Sequence, residues 1–402
     1  MIGAGAAGCM AAIAAAELGA PVVLLESTAD GGRKILISGG GRCNILPGQL
    51  EERRFVTDSS PHSLKKMLRT WPQAEQRKFF ESELAIPLVL EEESGKLFPA
   101  SNRARDVRDA LVALARRRGV EVRFSTRVES VRPEGMGWLL QSGGETLSAR
   151  ALILATGGLS VPATGSDGWG LALARQLGHT VHATYPALTP LTHTPPLHGD
   201  LSGISLVATL TASGGGREAE AHGGFLFTHR GYSGPAVLDV SHVIVRARLE
   251  GVPASLVAHW GQGDEAFWRE SLVARGSGQV ITLLRSELPS RLAERLMHDA
   301  GVATDVTLAQ LRKEQREALI DSLVRYPLPV TGDEGYKKAE VTGGGVALAE
   351  VDPRTMESRI TPGLFLCGEI LDAFGPIGGH NFLWAWVTGR ASGLAAGERR
   401  GP

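Results

Sequence analysis

The sequence predicts an α/β fold of the doubly wound, dinucleotide-binding class, and three observations predict it. Residues 1–8 read MIGAGAAG, a G-x-G-x-x-G turn made by Gly3, Gly5 and Gly8. An Ala-rich run and an apolar segment follow, ending at Glu26, 18 residues past Gly8 and near the spacing of an acid that accepts from ribose hydroxyls. At the far end of the 402-residue chain, CGEILDAFGPIGGHNFLWAWVTG at 367–389 makes a second glycine-rich turn into a helix. A nicotinamide dehydrogenase needs only the first turn. A chain that uses both ends for one cofactor holds a long, two-ended dinucleotide, which means FAD.

Each element has its own reason. Gly3 permits a tight turn out of a strand, Gly5 lets the backbone approach a pyrophosphate, and Gly8 lets the next helix pack close to the sheet. That helix spans about 6–18, is Ala-rich, and presents the N–H groups of Ala6 and Ala7 to anionic charge. Residues 20–25 read as a buried parallel strand. The strand before the turn is reduced to Met1 and Ile2, although about five residues are usual there. From this truncation the natural start is expected upstream of Met1, which mass spectrometry of the native N-terminus checks. GGRKILISGGGRCN at 31–44 is expected to be a wrapping loop, too glycine-rich for a packed helix or strand. Its backbone N–H groups suit phosphate or flavin atoms, and Arg33, Lys34 and Arg42 suit anionic charge.

Residues 64–84 and 105–118 read as helices, 119–133 as a strand and turn, and 137–158 as a hairpin leading into a buried strand at 151–155. That strand closes on Thr156, Gly157 and Gly158, a second approach to the dinucleotide. A helix follows at 167–177. From about Pro186 to residue 250, short alternating segments punctuated by Pro and Gly read as antiparallel strands. Helices are expected at 264–274, 289–300, 307–311 and 313–324, the third started by a Thr cap. The domains are therefore 1–185 with 339–402, an inserted β-rich domain at 186–262 and a small helical subdomain at 263–338. The strand 363–369 leads into the last helix, which starts near His380.

Composition bounds the function. Net charge near −1 gives no global attraction to nucleic acid or membrane, and 43% apolar content is that of an ordinary globular chain. Three scattered cysteines favour a reducing, cytoplasmic setting. No metal-ligand spacing and no membrane-spanning segment appears. Charge is uneven, however: residues 33–129 carry 19 Lys/Arg against 13 Asp/Glu. The Arg-rich run at 103–118 is either a solvated helix face or a basic rim for a phosphate-bearing substrate.

SGGGRCN (38–44), ATGG (155–158), GGFLFTHRGYSGPAVL (223–238), AEVTGGGV (339–346) and CGEILDAFGPIGGHNF (367–382) occur in that order. Together they resemble the YhiN/BaiN-like flavoproteins, also labelled the aminoacetone oxidase family or NAD(P)/FAD-dependent oxidoreductases. The resemblance covers essentially the whole chain. It implies a glutathione-reductase-like FAD domain interrupted by a β-rich domain and a small helical one. Gly3, Gly5, Gly8 and Glu26 match the ADP end of that family's site. Arg33, Lys34, Gly40, Arg42 and Cys43 match its flavin-proximal loop. Gly368, Glu369, Gly378, Gly379 and Asn381 match its C-terminal flavin segment, with Glu369 where many flavoproteins carry Asp to accept from the ribityl chain. Ala6, Ala7, Val128, Thr156, Gly157 and Phe382 complete the expected cofactor-binding set. The chain departs from the family pattern at His380, commonly aromatic, at Leu383, often Gln, and at Ile45–Leu46–Pro47 after the glycine loop.

FAD implies hydride transfer at flavin N5. A second G-x-G-x-x-G domain for NAD(P)H is absent from the sequence, so a nicotinamide reductant visits the flavin only transiently. There is no C-x-x-C for disulfide exchange, and a lone Cys43 is more often a packed small residue than a redox thiol. Acid–base candidates are His229 in LFTHRGYSGP, and Lys338 and Glu340 where the chain re-enters the FAD domain, with Lys337 beside them. Three readings stay open. The first is an FAD oxidoreductase of a small molecule, reducing a conjugated double bond or oxidising an amine. The second is an RNA-modifying flavoenzyme that reduces a ribosomal RNA uridine to dihydrouridine, which the resemblance also implies. The third is a non-catalytic flavin-binding protein. Substrate, electron donor and oligomeric state are not set by the sequence.

Overall fold

The computed structural model describes residues 1–273 and 276–399. Contacts divide the chain into two compact units, 1–185 with 340–402 and 186–339.

The first unit is built on three-residue strands, three of them wholly apolar. Leu364–Leu366 pairs in parallel with Leu152–Leu154, and Val23–Leu25 pairs in parallel with Glu121–Arg123. Ile2 joins the two pairs. Its N–H donates to the Ile153 carbonyl (3.0 Å), its own carbonyl accepts from the Ala155 N–H (2.9 Å), and the Gly3 N–H donates to the Leu25 carbonyl (2.8 Å). The first strand is thus one bridging residue, and it holds the central place between Leu154 and Leu25.

The first helix, Ala6–Glu17, and the last, His380–Glu398, pack side by side. The reason is a stripe of glycines at four-residue spacing. A Cβ on Gly389 would lie 2.4 Å from the Ala7 carbonyl oxygen, one on Gly393 2.2 Å from that of Ala11, and one on Gly397 3.1 Å from that of Ala15. No real Cβ sits that close to backbone at the first two positions, so the helices approach as near as backbones can. The paired numbers rise together, so the helices run parallel and their N-termini point the same way.

Several expected elements differ. Residues 31–44 are not a loop throughout. Arg33–Ile37 is a short helix after Gly32 in the left-handed region (φ 59°), because RKILI is helix-compatible and the glycines flank it. Residues 64–84 form two helices, Pro61–Leu68 and Gln73–Ser82, separated before Pro72. The 307–311 helix is a single 3₁₀ turn, Leu308–Gln310, with a Thr307/Gln310 capping box. The 264–274 helix runs Glu265–Ser271 behind an Asp264 cap, and position 274 lies outside the described residues.

The largest difference is in the second unit, where 186–250 is not all strand. Pro235–Leu249 is a 15-residue helix with Pro at its first turn, and nine of its residues are buried. It packs on the two long strands Ser205–Gly214 and Arg217–Phe227 of a seven-stranded sheet. Helix Lys313–Val324 packs on Ala254–Trp260 of the same sheet, so strands and helices share one core.

That core centres on buried His198, ringed by Phe227, Tyr232 and Tyr326. Tyr326 donates to Asp299 (2.7 Å), so its oxygen accepts from His198 Nε2–H (2.8 Å), and Tyr232 donates to Nδ1 (2.8 Å). Burial pushes the His198 pKa down to about 4 and does the same to His242. Between those values and the ordinary 6.5 the unfolded chain binds protons that the native chain does not. Stability is therefore full above about pH 6.5 and is lost as pH falls toward 4, by up to about 1.4 kcal/mol per pH unit for each histidine. Urea midpoints should drop between pH 7.5 and 5; a midpoint unchanged over that span contradicts neutral buried imidazoles.

Candidate cofactor-binding cleft

Both helix N-termini open on one cleft in the first unit. Its empty volume is about 1530 Å³, open solvent at the mouth included. Its lining runs from Gly5 and Glu26 to Gly379 and Phe382, the outline of an elongated ligand. The first helix has no side-chain cap and no acid in its first turn, and neither does the last. Their unspent N–H groups and dipoles leave two anion-attracting ends on the cleft. The glycine register sets the last helix's start eight residues further along the shared axis than the first helix's, about 12 Å at 1.5 Å per residue.

The three glycines of the first turn have separate roles. A Cβ on Gly3 (φ 100°) would lie 2.4 Å from the Ala155 carbonyl oxygen, and one on Gly8 1.8 Å from the Gly3 carbonyl oxygen. These two serve close packing, and Gly8 does not line the cleft. A Cβ on Gly5 would meet nothing within 4 Å, so Gly5 faces open space in the cleft wall with Ala6 and Ala7. Glu26 braces the turn: it accepts from Ala4 N–H (2.7 Å), Thr28 N–H (2.8 Å) and the Thr28 hydroxyl (2.7 Å), and still lines the cleft. Val128, Thr156 and Gly157 line it too. The Thr156 hydroxyl is buried with no hydrogen-bond partner.

At the other end, Gly378 and Gly379 both take φ 99°, and a Cβ on Gly379 would lie 2.5 Å from the Leu46 backbone. Asn381 exchanges hydrogen bonds with Gly375 (2.9 and 3.0 Å), fixing the loop before the helix. Phe382 stacks on Trp386 (5.5 Å, 13°), whose indole donates to Ile45 (3.0 Å). Trp384 donates to the Gly368 carbonyl (3.1 Å), and the Gly368 N–H donates to the Thr388 hydroxyl (2.9 Å). The Gly368 turn is thus bolted to the last helix, and all of Gly368, Glu369, Gly378, Gly379, Asn381 and Phe382 line the cleft. His380 does not. It is buried edge-on to Phe55 (5.9 Å), and burial pushes its pKa down to about 4, so it packs as a neutral ring.

Between the two ends stands a polar cluster. Glu369 Oε2 accepts from Lys34 Nζ (2.6 Å), and its Oε1 from the Ser160 hydroxyl (2.5 Å) and Thr342 N–H (2.9 Å). Lys34 also donates to Ser160 (2.7 Å). Arg33 lines the cleft paired to Asp30 (2.7 Å), whose pKa it holds below the usual range.

Three residues of the expected loop set stand elsewhere. Arg42 turns to Glu91 (2.8 Å) and lies 4.0 Å over the Phe98 ring. Gly40 is exposed outside the cleft lining. Cys43 is fully buried, and burial pushes its thiol up to about 12, far from a thiolate. Of the acid–base candidates, Glu340 lines the cleft. His229 and Lys338 belong to the second unit, each exposed in a turn. Sequence reasoning missed Ser160, Thr342 and the 389/393/397 glycine stripe. Only the stripe left a readable signal, its four-residue spacing. Among the described residues no group of three acidic, His or Cys side chains could hold a metal, and no helix is long and apolar enough to cross a membrane.

The residues present fit FAD: two uncapped helix ends on one extended cleft and an open approach at Gly5. Comparison with known proteins points the same way. The HI0933-like protein Rossmann domain family matches residues 1–395. The chain is 35% identical to a ribosomal RNA dihydrouridine synthase of Escherichia coli strain K12, over 96% of this chain and 95% of that one. It is 33% identical to a 3-dehydro-bile acid delta(4,6)-reductase of Clostridium scindens, over 99% and 98%. A 3-ketosteroid delta1-dehydrogenase structure from Sterolibacterium denitrificans shares the fold, with TM-score 0.53, 14% identity and 98% of each chain covered.

Proposed function

The chain belongs to the HI0933-like Rossmann-domain family and is an FAD-dependent oxidoreductase, and from that premise we propose that it reduces a carbon–carbon double bond conjugated to a carbonyl, with a ribosomal RNA uridine as the substrate to test first. The observation that carries the reading is the pair of parallel helices whose uncapped N-termini share one elongated cleft. Uracil and an unsaturated ketosteroid present the same electrophile, an alkene polarised by a carbonyl, so one chemistry accounts for both named relatives.

When bound and reduced, the flavin supplies a hydride at N5. The chain's own residues do the rest. The first helix end and Gly5 take the diphosphate, and Glu26 takes the ribose. The last helix end places positive potential beside the ring, where reduction adds negative charge. Saturating the alkene needs a proton as well as a hydride. Glu340 stands in the cleft wall just before the buried strand Val341–Val346, and it is the first candidate to deliver that proton from its carboxyl. His229 and Lys338, exposed on the second unit, are the other acid–base candidates. NAD(P)H is the proposed electron donor, visiting transiently, and three buried free cysteines suit the cytoplasm.

The test is anaerobic. NADPH or NADH should bleach the yellow protein, and a ribosomal RNA transcript should restore the colour while gaining dihydrouridine. Restoration by a small enone but not by RNA moves the substrate to the small-molecule reading. Failure of every reductant leaves the non-catalytic reading standing. Salt-sensitive RNA binding accompanies only the first outcome. Glu340→Gln should slow recolouring about 10²- to 10⁴-fold and leave bleaching unaffected; equal slowing of both steps removes Glu340 from the proton's path.

A further inference from the structure

The last helix carries a groove on the face turned away from the first helix. Gly389, Gly393 and Gly397 press the two helices together. Val387, Ala391 and Ala395 are offset from that stripe by two residues, about 200° at 3.6 residues per turn, so they face the opposite way. With Leu394 they make the apolar floor of a groove whose walls include Trp71, Arg354 and Arg390. Its empty volume is about 450 Å³, open solvent included, an upper bound that confines a ligand to a small molecule. No residue lines both this groove and the cofactor cleft.

The two arginines are without counter-ions. Arg390 is half-buried, with its guanidinium 5.1 Å over the Trp71 ring, and Trp71 is locked edge-on to Phe79 (5.5 Å, 75°). The indole attracts the charge but accepts none of the five N–H bonds a guanidinium can donate. Among the described residues, neither Arg390 nor Arg354 has a side-chain hydrogen bond or an ion pair. The acids close in sequence to Arg354 are taken. Asp352 receives Arg359 (3.3 Å) and the Arg354 and Thr355 N–H groups (2.9 and 3.2 Å), and Glu357 receives Arg399 and the Gly363 N–H (2.7 Å). Glu398 also lines the groove, but it stands eight residues past Arg390, about 12 Å along the helix axis, and so bounds the far end. Two like charges brought to one concavity repel each other, and an anion between them removes that cost. The floor asks for something different, an apolar surface to cover it.

We propose that this groove is a binding site for a small amphipathic carboxylate. The carboxylate sits between Arg354 and Arg390, and the apolar body lies along Ala391, Leu394 and Ala395 toward Glu398. The site is separate from the redox cleft and does not depend on the substrate reading above.

Calorimetric titration of the FAD-loaded protein with octanoate, octanol and acetate tests it. Octanoate carries both features, and each of the others carries one. Octanoate should bind at a single site, with octanol and acetate at least about tenfold weaker. Arg390→Met and Arg354→Gln should each weaken octanoate about ten- to a hundredfold and leave flavin content unchanged. Octanol binding as tightly as octanoate, octanoate binding unaltered by both substitutions, or no saturable octanoate binding overturns the proposal. Should Arg390→Met fail to fold, Arg354→Gln, in an exposed turn, decides alone.

Discussion

Gly393→Val is expected to force the first and last helices apart. The added Cβ would sit 2.2 Å from the Ala11 carbonyl oxygen and 2.9 Å from its carbonyl carbon and Cα, all of it backbone that no rotamer change can move. Overpacking of this kind costs roughly 1–3 kcal/mol and more when backbone must shift. Three kcal/mol corresponds to a fall in melting temperature on the order of 6–12 °C for a unit of this size. The helix N-termini would move with the shafts, so FAD retention should fall with stability. Gly397→Ala is the control. Its nearest neighbour is 3.1 Å away, and alanine gains roughly 0.5–1 kcal/mol of helix propensity over glycine, so the change should be close to neutral. Thermal melts of both variants check the gradient. Equal effects at 393 and 397 would mean the glycine stripe does not set the helix spacing.

Gly5→Asp should separate binding from folding. Space around Gly5 is open, and its backbone is extended (φ −78°, ψ −168°), so an aspartate fits without strain. An acid at a helix N-cap stabilises the helix by a few tenths of a kcal/mol or more. The apoprotein should therefore melt at the same temperature or slightly higher. The same carboxylate would occupy the anion site and face the diphosphate with like charge. FAD affinity should fall at least about a hundredfold, equivalent to roughly 3 kcal/mol. Flavin content after purification, compared with the apoprotein melt, reads both effects. Undiminished FAD binding would show that the diphosphate does not lie at this helix end.

The two chemical ends of the cleft were legible in the sequence because their signals are local. Gly3, Gly5, Gly8 and Glu26 lie within one strand–helix–strand unit, and Gly368 to Phe382 lie within one turn. What escaped was long-range or lacked periodicity. The partners of Arg42 are Glu91 and Phe98, some fifty residues away in sequence, and nothing in SGGGRCN tells its guanidinium to turn from the cleft. The Lys34–Glu369 pair spans the chain in the same way. Helix Pro235–Leu249 was read as strand because its Val and Ile residues are buried on several sides, which erases the polar face a helix usually shows. Pro235 at the helix start was the available signal. Residues 31–44 carry five glycines among RKILI and RCN, and overall glycine density hid a helix-compatible run between the two glycine runs.

The most direct test measures hydrogen exchange on apoprotein titrated with FAD, with ADP and with FMN. The account predicts that FAD slows exchange at residues 3–8 and 378–382 together, at one stoichiometry. ADP should protect only the first segment and FMN only the second. Protection by FAD confined to one of these segments, or two segments saturating at different FAD concentrations, would contradict a single dinucleotide held between the two helix ends.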